Sequence, residues 1–479
     1  MERFSSDWKL RSTATRESSG VGGRQILEVT KLGVDEMAIG KNNDEFVINA
    51  RPTKEFFIYM LTKDIPLIRA IIDLIDNSWD GALRVSKSHP FNQLVINLDI
   101  THDAFAISDN CGGIPYLIAK NYAFRFGRPT EMERTDHSVG QFGVGMKRSL
   151  FKIGEKFVVE STSPDSTFSV SVDVMKWVKL TEWEFRFDDL THHDRSPSWS
   201  KCGTRITVTD LHERVKADFG SEVFLSELRD AIESTHEQSL GKGITIKIND
   251  VPVGVRVATL KKSNKLKPGH VKLQIDESSE NPVDVNIFAG VSDSEPQSAG
   301  WNVYCNGRMV LEADSSSVTG WGTANTFVIP RYHNQFARFR GYVFFECNDA
   351  SKLPWNTTKT GVDVNTPIYQ AVQQKMVELM RPVIDFLNRV DREKEVNESD
   401  QVLTKTVDKA KLVQLQFTDE QTTFLSPESK PDAEEAQAIR RISYQVSAEK
   451  FDEVKGSLGA TSNKEVGEKT FEYYYDLEC

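Results

Sequence analysis

The sequence predicts an α/β (α+β) chain in which helices cover one face of a mixed sheet, followed by a second α/β unit and a small C-terminal module. Three observations lead there. Ile68 to Arg84, IRAIIDLIDNSWDGALR, repeats Ile68, Ile72, Ile75, Trp79 and Leu83 at helical spacing, so one face can enter a core. Leu94, Ile96, Leu98 and Ile100 alternate with polar residues, the period of a half-buried strand. Beyond Leu211 a series of strand patterns ends in a long helical pattern, Pro367 to Asn388.

In chain order, residues 1–41 are rich in Ser, Thr, Arg and Gly and read as a flexible arm. Residues 42–215 read as the first domain. FFIYML (Phe56 to Leu61) opens its folded part, the organising helix follows, and strands are expected at 94–100, 105–108, 156–162, 168–174 and 205–209. Residues 216–392 read as the second domain: a helix from Val223 to Gln238, strands near Ile244 and at 270–275, 283–289, 301–305 and 341–347, then the long helix. Residues 393–438, with REKEVNESD and PESKPDAEEAQ, read as a linker. Residues 439–479 read as strand, helix, helix. Ile442, Tyr444 and Val446 alternate with Arg441, Ser443 and Gln445, and helical stretches follow at 448–458 and 462–477. That order resembles a ribbon-helix-helix module, which would turn Arg441, Ser443 and Gln445 toward bases. The other reading is a tail that docks on its own protein or a partner, and the acidic Glu465, Glu468, Glu472 and Asp476 favour it.

Composition narrows the function. A net charge of −11 argues against a uniformly basic nucleic-acid coat. Cys111, Cys202, Cys305, Cys347 and Cys479 are scattered without a CxxC pair, which suits a reducing compartment and gives no zinc site. No apolar run reaches membrane-spanning length, so a soluble, cytoplasmic protein with no membrane partner is expected. The phosphate loop GxxxxGK[ST] is absent, which excludes that class of ATPase.

Chemistry concentrates in four places. The organising helix carries a second, polar stripe: Arg69, Asp73, Asp76, Asn77, Asp80 and Arg84. Asp73 and Asn77 are four apart and share a face. SDNCGGIP (Ser108 to Pro115) sets a carboxylate at a strand end before two glycines that let backbone approach a ligand closely. VGQFGVGMK (Val139 to Lys147) places glycines ahead of a helix whose first amides can cradle phosphate, after the polar, Gly/Pro-broken stretch 123–138. Gly203-Thr204 opens the strand RITVTDL.

These four, in this order, resemble the GHKL ATPases, the superfamily of DNA gyrase, the ninety-kilodalton heat-shock chaperone, histidine kinases, MutL and MORC proteins. The style is that of MORC-like and chaperone-like prokaryotic members. The resemblance implies a Bergerat-type ATPase domain followed by a transducer-like domain, with ATP and Mg2+ as cofactors. It assigns Asn77 to magnesium, Asp109 to the adenine amine, Gly113 to the pocket floor and Thr204 to the base through water. Gly140, Gln141, Phe142, Gly143, Val144, Gly145 and Lys147 fall in the glycine lid that holds phosphate. Arg125, Arg128 and His137 read either as phosphate contacts or as solvated loop residues, with the second favoured. Where the family has a water-positioning glutamate this chain has Asp73, one methylene shorter, so hydrolysis is expected to be slow or to rely on an intervening water or on Asp76. Lys359, in the loop LPWNTTKTGVD before the last long helix, sits where a transducer lysine reaches the terminal phosphate.

The function expected is Mg-dependent ATP hydrolysis by a GHKL protein whose nucleotide state gates homodimer closure, as a clamp acting on DNA in genome maintenance or defence. Two alternatives stand beside it. One is a nucleotide-gated interaction module with little hydrolysis; the other is a chaperone that binds a protein client.

Overall fold

The computed structural model describes residues 52–127, 137–140, 143–323, 328–395, 397–427 and 445–478. The N-terminal arm therefore lies outside the described residues, as do Arg128, Gln141, Phe142, Arg441 and Ser443.

The first sheet contains β1 (Val95–Ile100), β2 (Phe105–Asp109), β3 (Gly154–Thr162), β4 (Ser166–Asp173), β5 (Asp189–His192), β6 (Gly203–Leu211), β7 (Thr245–Ile248) and β8 (Val251–Pro252). Its spatial order is β5-β4-β3-β6-β2-β1-β7-β8. All neighbours are antiparallel except β1 and β7, so the sheet is mixed. The alternation read in 94–100 appears as β1, whose Ile96, Leu98 and Ile100 are buried. The strand expected near Ile244 joins this first sheet beside β1 and does not open the second. Helices Glu213–Phe219 and Glu222–Thr235 carry the chain back to that edge, where Ile244, Ile246 and Ile248 find an apolar surface.

Helix Leu67–Val85 follows Pro66, whose fixed φ holds the preceding backbone extended. Its apolar stripe behaves as the periodicity predicts: Ile72, Ile75 and Trp79 are buried, and Trp79 stacks on Phe91 with ring centroids 5.1 Å apart. The polar stripe does not behave as a solvated face, because Asp73, Asp76 and Asp80 are buried too. This helix also packs against helix Gly145–Ile153, which helix Lys54–Lys63 touches in turn.

The second sheet comprises β10 (Gly269–Ile275), β11 (Val283–Val291), β12 (Gly300–Cys305), β13 (Arg308–Asp314) and β14 (Phe339–Glu346), in the order β10-β11-β14-β12-β13. Helix Pro367–Arg392 lies across β10, β11 and β14, and buries Tyr369, Val372, Met376, Met380 and Val383. A two-stranded ribbon pairs β9 (Thr259–Lys262) with β15 (Lys411–Gln414). The linker expected over 393–438 is thus corrected in its first half. Helix Val402–Lys409 inserts Leu403 and Val407 into the core, and Leu415 is buried beside β15. Bridges from Thr422 to His270 and from Leu425 to Lys267 continue the attachment. A few well-placed apolar residues within a charged composition were enough to dock this segment.

Residues 428–444 lie outside the described set, and Gln445 to Ser447 have no regular structure. Helices Ala448–Ser457 and Asn463–Glu478 follow and pack on one another.

Candidate functional site

The site forms around the acidic face of helix Leu67–Val85. Spacings of three and four put Asp73, Asp76, Asn77 and Asp80 on that face. Of residues 70–80, Asn77 alone is exposed, and its side chain opens into a cleft. The three acids hold several distant parts of the chain, with Arg308 shared between two of them. Asp80 accepts from the amides of Val139 (2.7 Å) and Gly140 (2.8 Å), fixing the stretch before the glycine motif. Burial pushes the Asp80 carboxyl up, and those two amides pull it the other way. Asp73 accepts from Arg148 Nη2 at 2.5 Å and from Arg308 Nη1 at 3.4 Å. Asp76 accepts from Arg308 Nη1 and, at 2.8 Å, from Lys359 Nζ.

The expected adenine end is a small cleft, open at its mouth. Leu74, Ile107, Ile114, Met146 and Ile206 form apolar walls for a base, and Asp109 supplies the carboxylate. Register pairs Asp109 at the end of β2 with Thr204 at the start of β6. Asp109 accepts from Ser78 Oγ (2.6 Å), the Cys111 amide (2.9 Å) and the Thr204 amide (3.3 Å). Burial raises its pKa and those donors oppose the rise. Gly113 lines this cleft at φ 70°, where a Cβ would lie 2.0 Å from the Thr162 carbonyl oxygen. Only glycine fits there.

On the glycine side, Gly143 has φ 68°, and Val144 caps helix Gly145–Ile153 without a side-chain hydrogen bond. The first-turn amides at Gly145 are therefore placed to receive an anion. A Cβ on Gly145 would stand 3.7 Å from Asp73 Oδ2, so the carboxylate expected to orient water borders the expected phosphate site. A Cβ on Gly140 would meet Asp80 Oδ2 at 2.7 Å. Lys147 does not face this opening. It is buried and donates to the carbonyls of Ala123 (2.8 Å) and Gly143 (2.6 Å), and burial lowers its pKa to about 7. Arg125 and His137 are exposed.

Lys359 comes from far along the chain, at φ 54° in the loop before helix Pro367–Arg392. It is 7% exposed, and its pKa is lowered to about 7, first by burial and then by the Arg308 charge. His236 approaches Asp76 at 3.6 Å. Burial and the Lys359 charge lower its pKa to about 3, so this is a neutral ring beside a carboxylate and not an ion pair. Arg148, Arg308 and His236 escaped the sequence reading. The Asn306-Gly307 dipeptide signals a hairpin whose second strand begins at Arg308, but nothing local points that arginine at Asp73.

Magnesium fits on the chemistry of one donor. The Asn77 amide makes no hydrogen bond among the described residues and is the exposed polar group at the cleft, as a cation keeping most of its waters requires.

An apolar slot with a buried carboxylate at its end thus lies next to an open helix start and an acid. Residues 65–197 match the family of histidine kinase-, DNA gyrase B- and HSP90-like ATPases. Residues 65–197 are therefore a GHKL-type ATPase domain, a match that supports ATP binding. No curated protein matches the chain. No helix among the described residues is long and apolar enough to cross a membrane.

Proposed function

We propose that the chain binds ATP with Mg2+ through Asn77, hydrolyses it with Asp73 orienting the water, and couples nucleotide state to homodimer closure. Asp109 and Thr204 receive the adenine, Gly113 floors the pocket, and the segment from Gly140 to Gly145 surrounds the phosphates. When bound, magnesium supplies charge neutralisation at the phosphates. Asp73 accepts a hydrogen bond from the attacking water, while Arg148 and Arg308 fix its carboxylate. Lys359 moves between Asp76 and the terminal phosphate, so its loop responds to the presence of that phosphate. In this reading Lys147 braces the glycine segment from behind.

The observation that carries the reading is the burial of Lys359 against Asp76, three residues along the same helix from Asp73. It brings a cation from the second half of the chain to the acid cluster of the first. The second reading, an interaction module with little hydrolysis, draws on the engagement of both Asp73 oxygens by arginines. For cargo, we place DNA first and a protein client second, acted on by a cytoplasmic clamp.

The experiment measures ATP turnover and oligomeric state together, with and without magnesium, for the natural chain and Asn77→Ala. Turnover with ATP-dependent dimerisation, both lost in Asn77→Ala, supports the clamp. Dimerisation without turnover selects the interaction module, and absence of ATP binding removes the proposal. DNA binding that falls steeply with salt distinguishes a DNA clamp from a chaperone, which would suppress aggregation of an unfolded protein instead.

A further inference from the structure

We infer that Arg308 is a positioning residue for ATP hydrolysis, holding the Asp73 and Asp76 carboxylates in register from the turn between β12 and β13. The inference rests on the ATPase reading above. Asn306 (φ 48°) and Gly307 (φ 80°) form a two-residue turn with Cys305 paired to Arg308, the geometry that suits the twist of a tight hairpin. The Asn306 side chain anchors the turn on two sides. Its Nδ2 donates to the carbonyls of Ser138 (3.1 Å) and Cys347 (3.0 Å), and its Oδ1 accepts from the Cys347 amide (3.0 Å). Arg308 thus leaves a rigid support that also holds Ser138, next to the Val139 and Gly140 amides bound by Asp80.

The guanidinium is 1% exposed, and its Nη1 reaches both carboxylates. Its Nε and Nη2 have no hydrogen-bond partner among the described residues. An arginine serving as a structural strut spends its donors on backbone carbonyls, as Arg340 does with Nη1 on Ala337 and Phe339 and Nη2 on Glu295. An apolar side chain would fill the same space without the desolvation cost of a buried guanidinium. The two carboxylates are what Arg308 serves. They stand one helical turn apart on one buried face and repel each other, so a cation between them fixes both orientations. With Arg308 on Oδ1 and Arg148 on Oδ2, the Asp73 carboxylate is pinned beside the start of helix Gly145–Ile153. Each of its oxygens keeps a second lone pair for water.

The test compares kcat, ATP affinity by calorimetry and melting temperature for the natural chain, Arg308→Gln and Arg308→Lys. A misplaced Asp73 costs on the order of a hundredfold in kcat, so Arg308→Gln should lose about that much while ATP affinity holds. Arg308→Lys keeps a charge, but its shorter stem leaves the nitrogen short of the point where Nη1 bridges the two carboxylates, so it should fall between the two. Unchanged kcat in Arg308→Gln overturns the inference. So does a parallel loss of kcat, affinity and melting temperature that lysine does not relieve, the signature of a structural arginine. A natural chain that binds ATP without turnover also overturns it. One that binds no ATP removes the ATPase reading itself, an outcome visible before any variant is made.

Discussion

Lys359 and Asp76 are 283 positions apart in the chain, and Lys359 Nζ lies 2.8 Å from Asp76 Oδ2. The contact joins the loop before the last long helix to the acid face of helix Leu67–Val85. Because a buried lysine loses its hydration, its ammonium depends on the Asp76 carboxylate beside it.

Replacing that lysine tests its part in the cycle. Lys359→Met keeps the stem and removes the charge. Losing a charge-assisted hydrogen bond in the transition state is worth about 1.5–3 kcal/mol, a fall of roughly tenfold to a hundredfold in turnover. ATP-dependent change in oligomeric state should disappear with it. Turnover equal to that of the natural chain would detach Lys359 from the chemistry.

Asp109→Asn removes the expected acceptor for the adenine amine but keeps the size of the side chain. Affinity for ATP should drop about tenfold or more, with preference for ATP over GTP reduced. Titration calorimetry with both nucleotides reads this directly, and unaltered affinity and preference would place the base elsewhere.

Gly113→Ala forces a side chain into a left-handed backbone against the Thr162 carbonyl. Backbone strain alone costs on the order of 1–3 kcal/mol. Denaturant unfolding should register that loss, and nucleotide binding should fail. A fully stable, binding-competent variant would contradict the geometry of the pocket.

His236 gives a pH dependence whose sign follows from its lowered pKa, about 3 against an ordinary 6.5. Below pH 6.5 the unfolded chain binds a proton that the folded chain refuses, so stability falls as pH drops from about 6.5 toward 3. The slope approaches ~1.4 kcal/mol per pH unit. His236→Gln should flatten this part of the profile, measured as the difference between the two proteins' unfolding free energies. Identical pH profiles would show that His236 is not held neutral.

Asp73→Glu asks whether the shorter acid holds the chemistry back. Arg148 and Arg308 grip a carboxylate at aspartate length, next to Gly145. The longer side chain should disturb that grip, and turnover should fall. A gain in turnover would mean the aspartate is a brake.

Much of this was legible in sequence because it is local or periodic. The helix at 67–85, the strand ending at Asp109 and the glycines before helix Gly145–Ile153 follow from spacing and from the conformations that glycine permits. Lys359 was placed by resemblance alone; no spacing near it points to Asp76. What stayed hidden depends on partners far away in the chain. The stripe Asp73, Asp76, Asp80 looks like a solvated face until Arg148, Arg308 and Lys359 cover the first two acids and the Val139 and Gly140 amides engage the third. Residues 402–415 look like linker until Leu403, Val407 and Leu415 meet the core. Lys147 looks like a phosphate ligand until two carbonyls on its inner side claim it.

The most direct test of the account is Mg-ATP turnover by the natural chain and by Asp73→Asn, with ATP binding measured on the same preparations. The amide keeps the shape of the side chain and loses the base. Turnover should fall on the order of a hundredfold while binding is retained. Equal turnover in the two proteins would contradict the assignment of Asp73, and with it the role given to the arginines that hold it.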